Sequence, residues 1–198
     1  LTYARQELYF EPLPERHIDL TKDAGRRRIL DRVGLFDCLT DDEKNNVAHS
    51  MKQQSFKQSD MIIKQGDVDH EMYIVLEGLL EVLLFDDSKK PTRKVGQLQP
   101  GDFFGEMSLL TGEPRSASIR ALTDGVVFVL DQACMQQVFE SRPAIVDALS
   151  EAVAIRRLAL TDPSVAQSPD ANASRIHELG RQIAGKMRRM FHVMFREN

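Results

Sequence analysis

Residues 103–119 read FFGEMSLLTGEPRSASI, and the order of residue types in this stretch is that of an anion site. Apolar strand residues end in Gly105, a short apolar helical turn follows, and Arg115 arrives just before a return strand. Glycine can adopt backbone angles closed to other residues, so the amides of Glu106, Met107 and Ser108 at the start of the turn can point donors toward one spot. Arg115 supplies a planar, permanently charged fork that pairs with phosphate oxygens. A carboxylate beside a phosphate is repulsive. Glu106 therefore fits a second task, accepting hydrogen bonds from a sugar hydroxyl or steadying Arg115 when the site is empty. Taken together these residue types specify a sugar phosphate.

The sequence around this stretch predicts the scaffold. Between Phe56 and Val129, short runs of Ile, Val, Leu and Phe are punctuated by Gly66, Gly78, Gly96, Gly101, Gly105, Gly112 and Gly125. That spacing suits the turns of an antiparallel β-roll or jelly roll of about eight strands. Upstream, residues 19–33 are charged, with Ile29, Leu30 and Val33 at helical spacing, and Thr40 stands three before Glu43 in a capping box that opens a helix to about Met51. Downstream, Asp131 heads a helix with Met135, Val138 and Phe139 on one face, and Pro143 opens another carrying Ile145, Leu149, Val153, Ile155 and Leu158. The fold class is thus mainly β with flanking helices before and after.

Residues 161–173, TDPSVAQSPDANA, hold two prolines and hardly any large apolar residue, which predicts a linker. In the tail, Ile176, Leu179, Ile183, Met187, Met190, Phe191 and Met194 recur at intervals of three and four, with Arg181, Lys186, Arg188 and Arg189 on the other faces. This is an amphipathic basic helix that Gly180 and Gly185 weaken, so it needs a surface or a partner. Simple packing, a membrane surface and an inter-subunit contact are all open for its apolar stripe. The divisions expected are a strand-like segment at 1–14 (the roughly alternating, aromatic-rich residues 2–10, stopped by Pro12 and Pro14), helices at 15–55, the roll at 56–130, closing helices at 131–160, the linker at 161–173 and the basic helix at 174–198.

At 198 residues and 42% hydrophobic, the chain has material for one domain with extensions. Its formal charge is −4, and the last 25 residues carry six basic against two acidic groups, leaving the body near −8 and poorly matched to nucleic acid. Cys38 and Cys134 stand far apart without metal-ligand spacing, which suits thiols in a reducing, cytoplasmic compartment. No apolar run reaches the roughly 20 residues that span a bilayer. Leu1 begins neither a signal peptide nor a chain at its initiator, so the sequence reads as a segment of a longer protein. The five histidines form no ligand set, Arg26-Arg27-Arg28 reads as a solvated face, and no catalytic set and no metal or cofactor site is expected.

The stretch from Phe104-Gly105-Glu106 to Arg115-Ser116-Ala117-Ser118-Ile119 resembles the phosphate-binding cassette of the cyclic-nucleotide-binding domain family. The likeness runs from about Leu35 to Leu160 and includes Ile62-Ile63-Lys64-Gln65-Gly66-Asp67 and Tyr73-Ile74-Val75-Leu76-Glu77-Gly78. The resemblance implies cyclic AMP or cyclic GMP as ligand, Glu106 on the ribose 2′-hydroxyl, Arg115 on the cyclic phosphate and Ser116 on phosphate or purine. The ligand-binding set expected is Gly105, Glu106, Met107, Ser108, Arg115, Ser116, Ala117 and Arg156. Arg156 and Arg157 lie where relatives place a lid residue over the purine, and a solvated helix face is the other reading. Ser116 also suits simple packing at a strand start, and it permits either nucleotide. One departure is Ser59, where relatives carry glycine in the first turn of the roll.

Residues 3–10, YARQELYF, are similar to the closing strand of the cytoplasmic vestibule in small-conductance mechanosensitive channels. That resemblance implies the cytoplasmic module of a bacterial inner-membrane, cyclic-nucleotide-gated channel, joined to an upstream channel domain of the same chain and homo-oligomeric in the full-length protein. A soluble regulator of a transcription factor or of an enzyme such as a kinase is the alternative.

Overall fold

The computed structural model describes residues 23–85, 91–159, 162, 165 and 168–191. The strand expected over residues 2–10, and with it the division at 14, lies outside the described residues, as does Met194. Among the described residues there are eight strands: β1 Lys52–Phe56, β2 Met61–Ile63, β3 Glu71–Glu77, β4 Leu80–Phe85, β5 Pro91–Leu98, β6 Phe103–Phe104, β7 Ser118–Ala121 and β8 Gly125–Asp131. They form two four-stranded antiparallel sheets ordered β1-β8-β3-β6 and β2-β7-β4-β5, in agreement with the expected roll.

Period-two alternation lets the first sheet serve two cores. Tyr73, Val75, Val127 and Val129 face the roll interior with Phe56, Leu80, Phe104 and Ile119. Met72, Ile74, Phe128 and Leu130, the intervening residues, face a larger helical layer. That layer comprises α1 Asp23–Leu30, a 3₁₀ turn at Gly34–Phe36, α2 Asp41–Ser50, α4 Gln132–Ser141, α5 Ile145–Ala159 and α6 Ala173–Met190, with the short α3 Glu106–Thr111 at the rim of the roll. The capping box of α2 is formed: Thr40 Oγ1 accepts from the Glu43 amide at 3.4 Å, and the Thr40 amide donates to Glu43 Oε2 at 2.8 Å. Asp131 caps α4 by accepting from the Cys134 amide. Ser59 sits at φ 74°, so the turn where the resemblance implies glycine does demand left-handed backbone, here borne by serine.

Several expected boundaries shift. The roll begins at Lys52, four residues before the apolar texture starts, because β1 exposes Lys52 to Ser55 and buries only Phe56 while pairing with β8 along its whole length. Pro143 precedes α5 rather than opening it, since the helix starts at Ile145 after a turn. Arg26 and Arg27 are not a free solvated face: Arg26 donates to the Met51 carbonyl and lies over the Phe128 ring, and Arg27 pairs with Asp41.

The C-terminal region departs furthest from what its composition implies. Within the supposed linker, Val165 is fully buried in the helical core and Asp162 pairs with Arg175. The amphipathic helix then docks on its own domain, where Ile176, Ile183, Ala184, Met187 and Phe191 are buried with α4 and α5. Phe191 meets Phe139 edge-on at 4.5 Å. Gly180 lies against the α5 backbone at Ser150 and Glu151, so the glycine expected to weaken the helix marks a close approach of two helices. Simple packing is thus the reading of the apolar stripe that the structure supports. No helix among the described residues is long and apolar enough to cross a membrane.

Candidate functional site

Arg115 is the most deeply held cation of the site, with 3% of its surface exposed. Its Nη1 donates to the carbonyls of Glu71 at 2.6 Å and Gly105 at 3.0 Å, and Nη2 donates to Asp69 Oδ2 at 2.8 Å. The buried Nε has no hydrogen-bond partner among the described residues. An unpartnered buried donor on a guanidinium is costly, and an anion is the ligand that relieves it. The backbone of Arg115 is equally fixed: its amide donates to the Asp67 carbonyl at 2.9 Å and its carbonyl accepts from the Gly66 amide at 2.8 Å. The Gln65-Gly66-Asp67 turn is therefore the clamp that aims the arginine.

Gly105 caps α3 from φ 82°, a left-handed conformation that glycine alone takes freely. A Cβ there would lie 2.4 Å from Arg115 Nη1 and 3.0 Å from the Glu71 carbonyl oxygen, so the residue is glycine for close approach as well as for backbone angle. Glu106 follows as the first residue of α3 and is 9% exposed. Ser108 is buried, and its carbonyl accepts from the Gly112 amide at 3.0 Å. Met107 packs half-buried against the helical core, Ala117 is half-buried and Ser116 is exposed. The structure thus gathers Gly105, Glu106, Met107, Ser108 and Arg115 around the mouth of α3 and leaves Ser116 open to solvent.

Arg156 reaches the same mouth from α5, but its partner is Glu106 and not open space over the roll. Its Nε lies 3.4 Å from Glu106 Oε1, its Nη2 donates to the Phe103 carbonyl at 2.5 Å, and its guanidinium carbon stacks 3.7 Å from the Phe103 ring centroid. Glu113, two residues before Arg115, pairs with Arg157 of α5 and with Lys186 of α6. Met190 packs on Gly112, where an added methyl would meet its Sδ at 3.1 Å. Both C-terminal helices therefore grip the cassette, α5 at its start and end and α6 at its end.

Three participants escape a reading of the cassette alone: Asp69, Glu71 and Tyr73. They alternate at period two on entering β3. That alternation is the signal that could have brought them to notice. A depression of about 660 Å³ beside Asp69 and Glu71 is lined also by His70, Asp131 and Gln136. Its carboxylates make it the acidic rear of the arginine, unsuited to a phosphate.

Residues 53–142 match the family model described as the cyclic nucleotide-binding domain. The chain is 38% identical over 95 residues to a cGMP-dependent protein kinase of Plasmodium berghei, covering 48% of this chain and 10% of that protein. It is 29% identical over 177 residues to a cAMP-dependent protein kinase regulatory subunit of Eremothecium gossypii, covering 86% of this chain and 37% of that protein. The solved structure of cAMP-bound PfPKA-R superposes with a TM-score of 0.53 at 26% identity, covering 67% of this chain and 45% of that one. The chain therefore spans less than half the length of these relatives. The roll, the buried arginine behind a left-handed glycine and the matched family model agree, and residues 53–142 match the cyclic nucleotide-binding domain in sequence and in fold.

Proposed function

We propose that this domain senses cyclic AMP or cyclic GMP and passes the binding event to an enzyme of the kinase class. The observation that carries the nucleotide reading is Arg115, buried, aimed by three acceptors and unpartnered at Nε. The cyclic phosphate takes the free edge of that guanidinium and the amides that open α3, and the ribose 2′-hydroxyl donates to Glu106. In this reading Ser116, exposed beside Arg115, touches the phosphate or the purine. Coupling follows from Glu106 having two claimants. Arg156 holds it through α5, so a ribose hydroxyl that takes the carboxylate weakens the hold of α5 on the cassette and shifts its position. The work available is the difference in ligand affinity between the two arrangements.

The relatives named above are kinases and kinase regulatory subunits, which favours an enzyme as the attached or associated device. The channel attachment expected from residues 3–10 draws no support from those relatives, and the residues that suggest it lie outside the described part of the chain.

Arg115→Ala tests the assignment. Cyclic AMP and cyclic GMP binding, followed by calorimetry, should weaken by at least about 2 kcal/mol, since a charge-assisted partner is lost from the ligand. A variant that keeps its fold by circular dichroism and its affinity for both nucleotides would overturn the reading.

A further inference from the structure

The two carbonyls that grip Arg115 Nη1 belong to different elements, Glu71 at the start of β3 and Gly105 just after β6. One side chain lies behind both. Tyr73 pairs in register with Phe104, and their rings stack with centroids 5.0 Å apart and planes 10° from parallel. The Tyr73 hydroxyl donates to Glu71 Oε2 at 2.8 Å. The Arg115 guanidinium carbon stands 5.8 Å from the Tyr73 ring centroid, and Tyr73 itself is only 5% exposed. Burial, then the hydrogen bond to the Glu71 carboxylate, pushes the phenol well above its ordinary range, so it stays a donor at any physiological pH.

We propose that Tyr73 is a positioning residue for the phosphate-binding arginine, its ring setting the Phe104-Gly105 backbone and its hydroxyl setting Glu71. The inference rests on the reading of Arg115 as the phosphate ligand. A guanidinium that must meet a phosphate edge-on tolerates displacements of only about 0.5 Å, so whatever sets its two carbonyls sets affinity. Phenylalanine at position 73 keeps the stack and releases Glu71, which isolates the contribution of the hydroxyl. Ordinary core packing would make a different mark: it would change stability and treat all ligands alike.

The test uses the whole 198-residue chain. Cyclic AMP and the two diastereomers of its phosphorothioate, which differ only in which exocyclic phosphate atom is sulfur, are titrated into wild type, Tyr73→Phe, Arg115→Lys and the double variant. Tyr73→Phe should weaken cyclic AMP about three- to tenfold, the size of one hydrogen bond, and should narrow the discrimination between the diastereomers. Lysine makes no fork to orient, so Tyr73→Phe should cost less than twofold in the Arg115→Lys background. Affinity within twofold of wild type for Tyr73→Phe, or the same loss in both backgrounds, would overturn the role of Tyr73 alone. An Arg115→Lys variant with unchanged affinity and unchanged diastereomer preference would overturn the phosphate assignment and the positioning role together.

Discussion

Replacing Arg156 by alanine asks which partner Glu106 is built to serve. The side chain makes three contacts: an ion pair to Glu106 at 3.4 Å, a hydrogen bond to the Phe103 carbonyl and a stack on the Phe103 ring. Because Arg156 is 31% exposed, solvent screens the ion pair to about 0.5–1 kcal/mol. The hydrogen bond and the stack each add about 1 kcal/mol at most. These terms share one group, so their sum is nearer 1.5–2 kcal/mol than 3. Only the ion pair opposes a ribose hydroxyl, since the other two contacts can persist with nucleotide bound. Arg156→Ala should therefore tighten cyclic AMP by about two- to fivefold, which is 0.5–1 kcal/mol converted. The affinity of 2′-deoxy cyclic AMP, which has no hydroxyl to offer Glu106, should move less than twofold. In the ligand-free protein the same change should lower the melting temperature by roughly 3–8 °C. Calorimetry with both ligands reads the first two effects and a thermal scan the third. Equal weakening of both nucleotides would refute the competition and put Arg156 on the ligand itself, the lid role expected from sequence.

Gly105→Ala should abolish measurable nucleotide binding and lower the melting temperature by several degrees, because its Cβ would displace Arg115 Nη1 and the residue would be held at φ 82°; a folded variant that binds normally would remove the glycine from the site. Phe191→Ala should cost about 3 kcal/mol, the lower end for a buried aromatic, and a thermal shift within 2 °C would show that the packing of Phe191 on Phe139 contributes nothing to the fold. Cys134, whose thiol burial pushes up to about 11, keeps its proton in the folded state, so its contribution to stability is complete below about pH 9 and lost as pH rises toward 11. Urea titrations across that range should show the loss, and Cys134→Ser should make it shallower, leaving the part that the raised Tyr73 phenol contributes. A thiol reagent at pH 8 should modify half-buried Cys38 well before Cys134.

The candidate site was legible because the residues proposed for phosphate and ribose fall within one run of 17 residues, where backbone geometry and side-chain charge point to the same ligand. The roll was legible for a related reason, its turns being marked by glycines that occupy left-handed backbone, as at Gly66, Gly78 and Gly101. What escaped was long-range. Asp69 and Glu71 stand 46 and 44 residues before the arginine they hold, and nothing local in Asp69 or Glu71 says which cation it will face. The stripe of α6 announced burial without naming the surface that provides it. Val165 could not be placed in a core from a segment whose composition reads as linker. Arg156 was expected over the purine and the structure pairs it with Glu106, a contact set by the packing of α5 that sequence spacing does not reveal.

The alternation along β3 and β8 has an experimental consequence. Met72 and Tyr73 are neighbours in the chain but stand on opposite sides of one wall, as do Phe128 and Val129. Isotope labels or conservative truncations at Met72, Ile74, Phe128 and Leu130 report on the helices, while the same probes at Tyr73, Val75, Val127 and Val129 report on the lining of the roll. A ligand that moves α5 while leaving the roll in register would perturb every second residue of these strands. One that reorganises the roll would perturb the complementary set, so a single labelled strand pair distinguishes the two motions.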